Sequence, residues 1–197
     1  MGLISTINFI INHPLNKNYK AAALLRFLFW QLNSRLNKYP IIYSFTEKSK
    51  LIIGKGMTGA TGNYYCGLHE FEDMSFLLHF LKSDDLFIDI GANVGSYTIL
   101  ASAHVGAKSI SFEPHPATFQ RLMDNIRINN IIDKVIPYNE GLGNSETNLF
   151  FTDKLDTANY ISEKENADTI KVKVSKLENK LASLNNPTLL KNGCGRL

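Results

Sequence analysis

Cysteine is scarce in this chain: Cys66 and Cys194 are the only two among 197 residues. So few and so far apart, they cannot frame a disulfide scaffold, and a reducing, cytoplasmic setting is expected. Long apolar runs are missing too. Ala21 to Trp30 is apolar apart from Arg26, about half the length a bilayer demands, so no transmembrane helix is expected. The first twelve residues lack the basic segment of a secretory signal. Met1-Gly2-Leu3-Ile4-Ser5-Thr6 matches the N-myristoylation pattern, which is short enough to arise often by chance. His69, His79, His104 and His115 lack metal-ligand spacing and read as surface or packing residues. No internal repeat or low-complexity tract stands out, and an apolar share of 44% is ordinary for a globular protein. The length suits one domain with a substantial core.

Acid is nearly absent from the front of the chain. Residues 1–60 hold eight Lys or Arg against Glu47 alone, a balance of +7, whereas the remainder stands at −4. A basic front end invites an acidic surface, either membrane or nucleic acid. The basic residues are scattered, however, with no run of them and no aromatic ladder, so no nucleic-acid partner is expected and a solvated face is the plainer reading. Leu24, Leu25, Phe27, Leu28, Phe29, Trp30, Leu32 and Leu36 make a heavily apolar helix. Packing on the domain and peripheral contact with a membrane or a partner both remain open for it.

Against these absences stands one informative stretch. Leu86-Phe87-Ile88-Asp89-Ile90 is a short apolar run that carries an acid, and it opens into Gly91-Ala92-Asn93-Val94-Gly95 before Ser96-Tyr97-Thr98-Ile99-Leu100 restarts an apolar pattern. This reads as strand, loop and helix, the first crossover of a nucleotide-binding α/β sheet. Gly91 permits a sharp turn and close backbone approach to a ligand, and Gly95 permits close packing where the helix begins. Asp89 is placed to order the loop or to meet a cationic ligand group. The spacing G-x-x-x-G differs from the G-x-G-x-x-G of dinucleotide enzymes, which turns the reading away from NAD. Lys108 to Phe112 reads as a second strand ending on Glu113, 22 residues after Gly91. An acid there can accept both hydrogen bonds of a ribose diol.

The segments DIGANVGSYT and SFEPHPATFQRLMDNIRINN together resemble the FkbM-type family of S-adenosylmethionine-dependent methyltransferases, over residues from about Gly54 to Lys191. The resemblance implies a Rossmann-like class I methyltransferase sheet and transfer of a methyl group to a hydroxyl, often on a sugar or polyketide-type product. It implies S-adenosyl-L-methionine as cofactor and a small-molecule hydroxyl, a glycan among the candidates, as acceptor. Carried over by residue, Gly91, Asn93 and Gly95 belong to the loop around the methionine moiety, with Asp89 on the strand before it. Glu113 takes the ribose and the Pro114 region lies beside the adenine. Asn139, after a third strand at Lys134-Val135-Ile136-Pro137-Tyr138, lies near the adenine edge, and Glu70 faces the cofactor's amino group. Each has a plainer alternative: Asn139 as a turn residue before Glu140-Gly141, Glu70 as an acid favoured at a helix start by the dipole.

The expected organisation is a helical leader over 1–40 and a partial methyltransferase domain over 41–197. Residues 41–67 read as short strands punctuated by Gly54, Gly56, Gly59, Gly62 and Gly67. Phe71, Met74, Leu77, Leu78 and Leu81 recur at helical spacing, as do Phe119, Leu122, Met123 and Ile126. Strands near 86–90, 108–113 and 134–138 are expected as parallel neighbours. Residues 148–152 and 169–174 alternate like hairpin strands, and Leu177, Leu181 and Leu184 suggest a short helix. Pro187 to Lys191 starts a fourth strand. In the family this strand runs into an acid-containing segment, whereas here Asn192-Gly193-Cys194-Gly195-Arg196-Leu197 follows. The expectation is therefore a front-half sheet with little turnover and no assigned general base. A naturally short member with a closed half-sheet, and a non-catalytic remnant or cofactor-binding module, are the alternatives.

Overall fold

The computed structural model describes residues 2–37, 39–152, 161–162, 169–181 and 186–193. The leader forms α1 (Leu3–Asn12) and α2 (Lys20–Leu36), separated by a 3-10 turn at Pro14–Asn16. The turn is held by His13, whose Nδ1 accepts the Leu15 amide. Helix α2 buries Ala23, Phe27 and Trp30, with the Phe27 ring set edge-on to Tyr65 at 5.3 Å. Arg26, the charge that interrupts the apolar run, turns inward and donates to Asn16 Oδ1 at 3.0 Å and to the Tyr65 carbonyl at 2.9 Å. Strands β1 (Ile41–Thr46) and β2 (Ser49–Ile53) make an antiparallel hairpin.

The next segment departs from expectation. Residues 58–66 form a helix, α3 (Thr58–Cys66), not further short strands. Gly62 marks close packing and not a turn, since any side chain there would collide with the His69 ring, whereas Gly59 borders open space. Helix α3 buries Ala60, Asn63, Tyr65 and Cys66, and burial pushes the Cys66 thiol up to about 11, so it behaves as an inert core group. Cys194 lies outside the described residues. Helix α4 (Phe71–Phe80) follows as its spacing predicts, with Glu72 and Asp73 in the first turn, where the helix dipole favours acids.

Strand β3 (Leu86–Ile90) leads into α5 (Ser96–Ile99), which continues as a π-helical stretch through Leu100–Val105. Strand β4 (Lys108–Phe112), α6 (Pro116–Ile128) and β5 (Val135–Tyr138) complete two strand-helix-strand units. Beyond them lie β6 (Gly141–Leu142), β7 (Thr147–Thr152), β8 (Ile161–Ser162), β9 (Thr169–Ser175), α7 (Leu177–Leu181) and β10 (Leu189–Asn192). The main sheet has the order β10-β3-β4-β5 with every pairing parallel. The fold is therefore α/β, as expected, with the Glu113 strand beside the Asp89 strand. Strands β7 and β9 pair antiparallel as the alternation predicts, within a second sheet ordered β6-β9-β7-β8. Leu184 falls outside the described residues.

One face of the main sheet, carrying Phe87, joins the large core with Leu77, Leu100, Leu122 and Ile126. The other face carries Ile88, Ile110 and Phe112 under Leu177 and Leu181. Burial on both faces explains why β3 reads as a nearly continuous apolar run. It also makes each polar residue in the sheet conspicuous.

Candidate functional site

The chain runs β3 to β4 to β5 in one direction across the sheet and then returns to place β10 on the other side of β3. The strand order thus reverses between β3 and β10. In open α/β sheets such a reversal of strand order opens a crevice at the carboxyl ends of the strands, where ligands bind. The sequence-derived residues gather at that end.

Asp89 is fully buried. Its Oδ2 accepts from the Thr98 amide at 3.2 Å and from Thr98 Oγ1 at 2.8 Å, tying the strand to the first turn of α5. Thr98 Oγ1 also lies 2.7 Å from Ser111 Oγ on β4. Of the two roles open to Asp89, ordering the loop is thus directly visible. Its other oxygen, Oδ1, is buried without a hydrogen bond among the described residues, with Lys191 Nζ 3.5 Å away.

The loop itself has the backbone its composition predicts. Gly91 and Gly95 adopt φ of +69° and +89°, which L side chains rarely tolerate. A Cβ at Gly95 would also strike Leu122 Cδ1, so α6 seats directly on the start of α5. Asn93 shares the left-handed region, with φ +52°, and steadies it by accepting the Val94 amide on Oδ1 at 2.7 Å. Asn125 of α6 donates to the Val94 carbonyl at 2.8 Å and accepts the Ile52 amide at 2.7 Å, so it links the loop to the β1–β2 hairpin.

Glu113 closes the far side of the crevice. Oε2 accepts the Asn93 amide at 2.8 Å and Oε1 accepts the His115 amide at 2.9 Å. Burial pushes the Glu113 carboxyl above its ordinary range, and Asp89 adds to this; the two amides and His115 pull the other way. Each oxygen retains a lone pair beyond the bond it makes. Asn139 donates through Nδ2 to the carbonyls of Glu113 and Pro114, at 2.8 and 3.1 Å, and so clasps the segment after β4. It is an exposed residue. Glu70 occupies the N-cap of α4 but makes no capping bond with its side chain. Its Oε2 instead accepts from the Tyr97 hydroxyl at 2.6 Å, which brings α4 to the glycine loop.

Two participants escaped the reading of the sequence. Tyr97 bridges α5 to Glu70, and burial together with Glu70 holds its phenol far above the ordinary value. Lys191 lies in register with Asp89 across the β10–β3 pair. Its Nζ is 3.4 Å from the Gly91 carbonyl and sits over the Tyr97 ring at 4.8 Å. The available signal was one cation in a strand whose parallel partner carries one acid. The resemblance instead drew attention to the acid expected just beyond. Among the described residues no group of three or more His, Cys, Asp or Glu could hold a metal.

No family model matches this chain. It is 35% identical over 75 residues to the hexuronic acid methyltransferase AglP of Haloferax volcanii, a match covering 38% of this chain and 30% of that protein. It is 34% identical over 58 residues to the tRNA(Phe) (4-demethylwyosine(37)-C(7)) aminocarboxypropyltransferase of Pyrococcus horikoshii, covering 29% of this chain and 21% of that protein. The matches thus span less than a third of either relative. Among solved structures, P. horikoshii TYW2 in complex with MeSAdo shares 16% identity and a TM-score of 0.41, over 66% of this chain and 50% of that one. At that score the likeness carries no weight beside the strand order itself.

Proposed function

We propose that this chain is an S-adenosylmethionine-dependent methyltransferase of the FkbM type that modifies a hydroxyl on a small molecule, foremost a sugar. The observation that carries the reading is the pairing, at a reversal of strand order, of the positive-φ glycine loop with the buried Glu113. The residues present suit such a cofactor. Among the described residues Glu70, Asp89 and Glu113 outnumber the nearby ammonium of Lys191, and Asp89 Oδ1 is buried there without a hydrogen bond, so the site favours a cation. When bound, S-adenosylmethionine supplies a methyl group made electrophilic by its sulfonium charge.

In this reading the backbone from Gly91 through Asn93 to Gly95 curves around the methionine portion, and Asp89 keeps that loop in place. Glu113 accepts the ribose hydroxyls on its remaining lone pairs. Asn139 borders the adenine and Glu70 faces the amino end. Displacement by a hydroxyl oxygen needs no covalent enzyme intermediate, so the chain contributes alignment and exclusion of water. Residues 41–197 form the methyltransferase unit and residues 1–40 its leader.

The name of the Haloferax relative favours a uronic acid acceptor. That of the Pyrococcus relative supports a second reading, a tRNA acceptor served by the same cofactor half. S-adenosylmethionine labelled in its methyl group, and separately in its methionine carboxyl so that aminocarboxypropyl transfer is also seen, offered with uronic acid glycosides and separately with bulk tRNA, separates them. Label in the glycoside is the expected result. Label in tRNA alone selects the second reading, and cofactor binding without label in either leaves a binding module.

A further inference from the structure

Helix α2 has two apolar faces. Ala23, Phe27 and Trp30 are buried on the protein. Leu25, Leu28, Phe29, Leu32 and Leu36 remain exposed, at 65, 54, 56, 62 and 85%. At 3.6 residues per turn the second set forms one stripe about 100° wide, centred about 180° from the buried face. Single exposed apolar side chains are ordinary, but five in register along one helix mark a binding surface.

Charge indicates what covers it. The first 46 residues contain five Lys or Arg and no acid. Lys17, Lys20 and Arg35 are all exposed, and Arg35 falls at the edge of the stripe, where Nη1 donates to the Gln31 carbonyl at 3.0 Å. Beside that end of α2 a cleft of about 350 Å3 is lined by Arg35, Lys55, Gly56 and Thr58, among others. A cation-rimmed cleft next to an apolar stripe matches the layering of a lipid interface, where phosphate lies above acyl chain. A second copy of the chain would set Lys17, Lys20 and Arg35 against like charges, with no carboxylate in the first 46 residues to offset them. No described helix is long and apolar enough to cross a membrane, so the contact lies along the surface.

We propose that the outer face of α2, with the Arg35–Lys55 cleft, docks this protein onto an anionic phospholipid bilayer. The stripe enters the acyl boundary and the cleft receives headgroup phosphate. The test is co-sedimentation of the full chain with phosphatidylcholine vesicles, with and without phosphatidylglycerol. Partitioning onto anionic vesicles is expected to exceed that onto neutral ones by roughly tenfold or more and to fall with added salt. Leu28→Ser with Leu32→Ser, and separately Arg35→Glu with Lys55→Glu, are each expected to lower it by about tenfold. All four side chains are exposed, so circular dichroism is expected to be unchanged; Leu25→Ser with Phe29→Ser serves as a second stripe pair. Equal binding to both vesicle types, no binding to either, or partitioning unaltered in the stripe variants would overturn the proposal. So would a stripe-dependent dimer in sedimentation velocity that leaves vesicles unbound.

Discussion

Gly95 and Glu113 show how single positions shape the crevice. Gly95 combines φ +89° with contact against Leu122, so backbone strain and overpacking act together on any side chain placed there. Gly95→Ala is expected to destabilise the fold by roughly 1–3 kcal/mol, read as a lower urea midpoint with an unchanged slope. A midpoint equal to that of the wild type would mean that the turn relaxes without cost. Glu113 is an acid whose folded-state pKa is raised by burial. Its contribution to stability is therefore fully present below the ordinary glutamate value of about 4.3 and is lost as pH rises through the raised value. Glu113→Gln stays neutral throughout, so its stability relative to the wild type is expected to improve between pH 4 and pH 8. Denaturation midpoints that keep a constant difference across that range would contradict the burial argument.

At the scale of elements, Asn125 is the joint between hairpin and loop. It is fully buried, and Asn125→Ala leaves the Ile52 amide and the Val94 carbonyl without their partner. The expected loss is about 1–3 kcal/mol, with faster amide exchange at Ile52. Unchanged exchange there would show that the hairpin does not depend on this bond. The elements also show what could be read in advance. Strand β3 was legible because its apolar run, buried in the sheet, is interrupted only by Asp89, and β4 and β5 because they follow it at the spacing of right-handed strand-helix-strand connections. Helix α3 was not legible: its glycines resemble turn markers, and only the packed His69 ring shows why Gly62 is small. The Asp89–Thr98 and Glu113–Asn93 bonds follow from motif spacing. The Lys191 contact does not, because it depends on a parallel pairing a hundred residues apart in the chain. Tyr97–Glu70 escaped for a similar reason, since it joins two helices from opposite sides of β3 in sequence.

The whole molecule carries two surfaces with distinct chemistry: an acid-rich crevice at the carboxyl ends of the main sheet and a basic, apolar leader. The crevice is tested most directly by calorimetric titration of the full chain and of Glu113→Ala with S-adenosylhomocysteine, with NAD as the comparison ligand. The wild type is expected to bind S-adenosylhomocysteine and not NAD. Glu113→Ala, folded by circular dichroism, is expected to bind roughly 5- to 150-fold more weakly, the equivalent of about 1–3 kcal/mol for hydrogen bonds to a charged acceptor. Equal affinity in wild type and variant, or a wild type that takes NAD in preference, would contradict this role for the crevice.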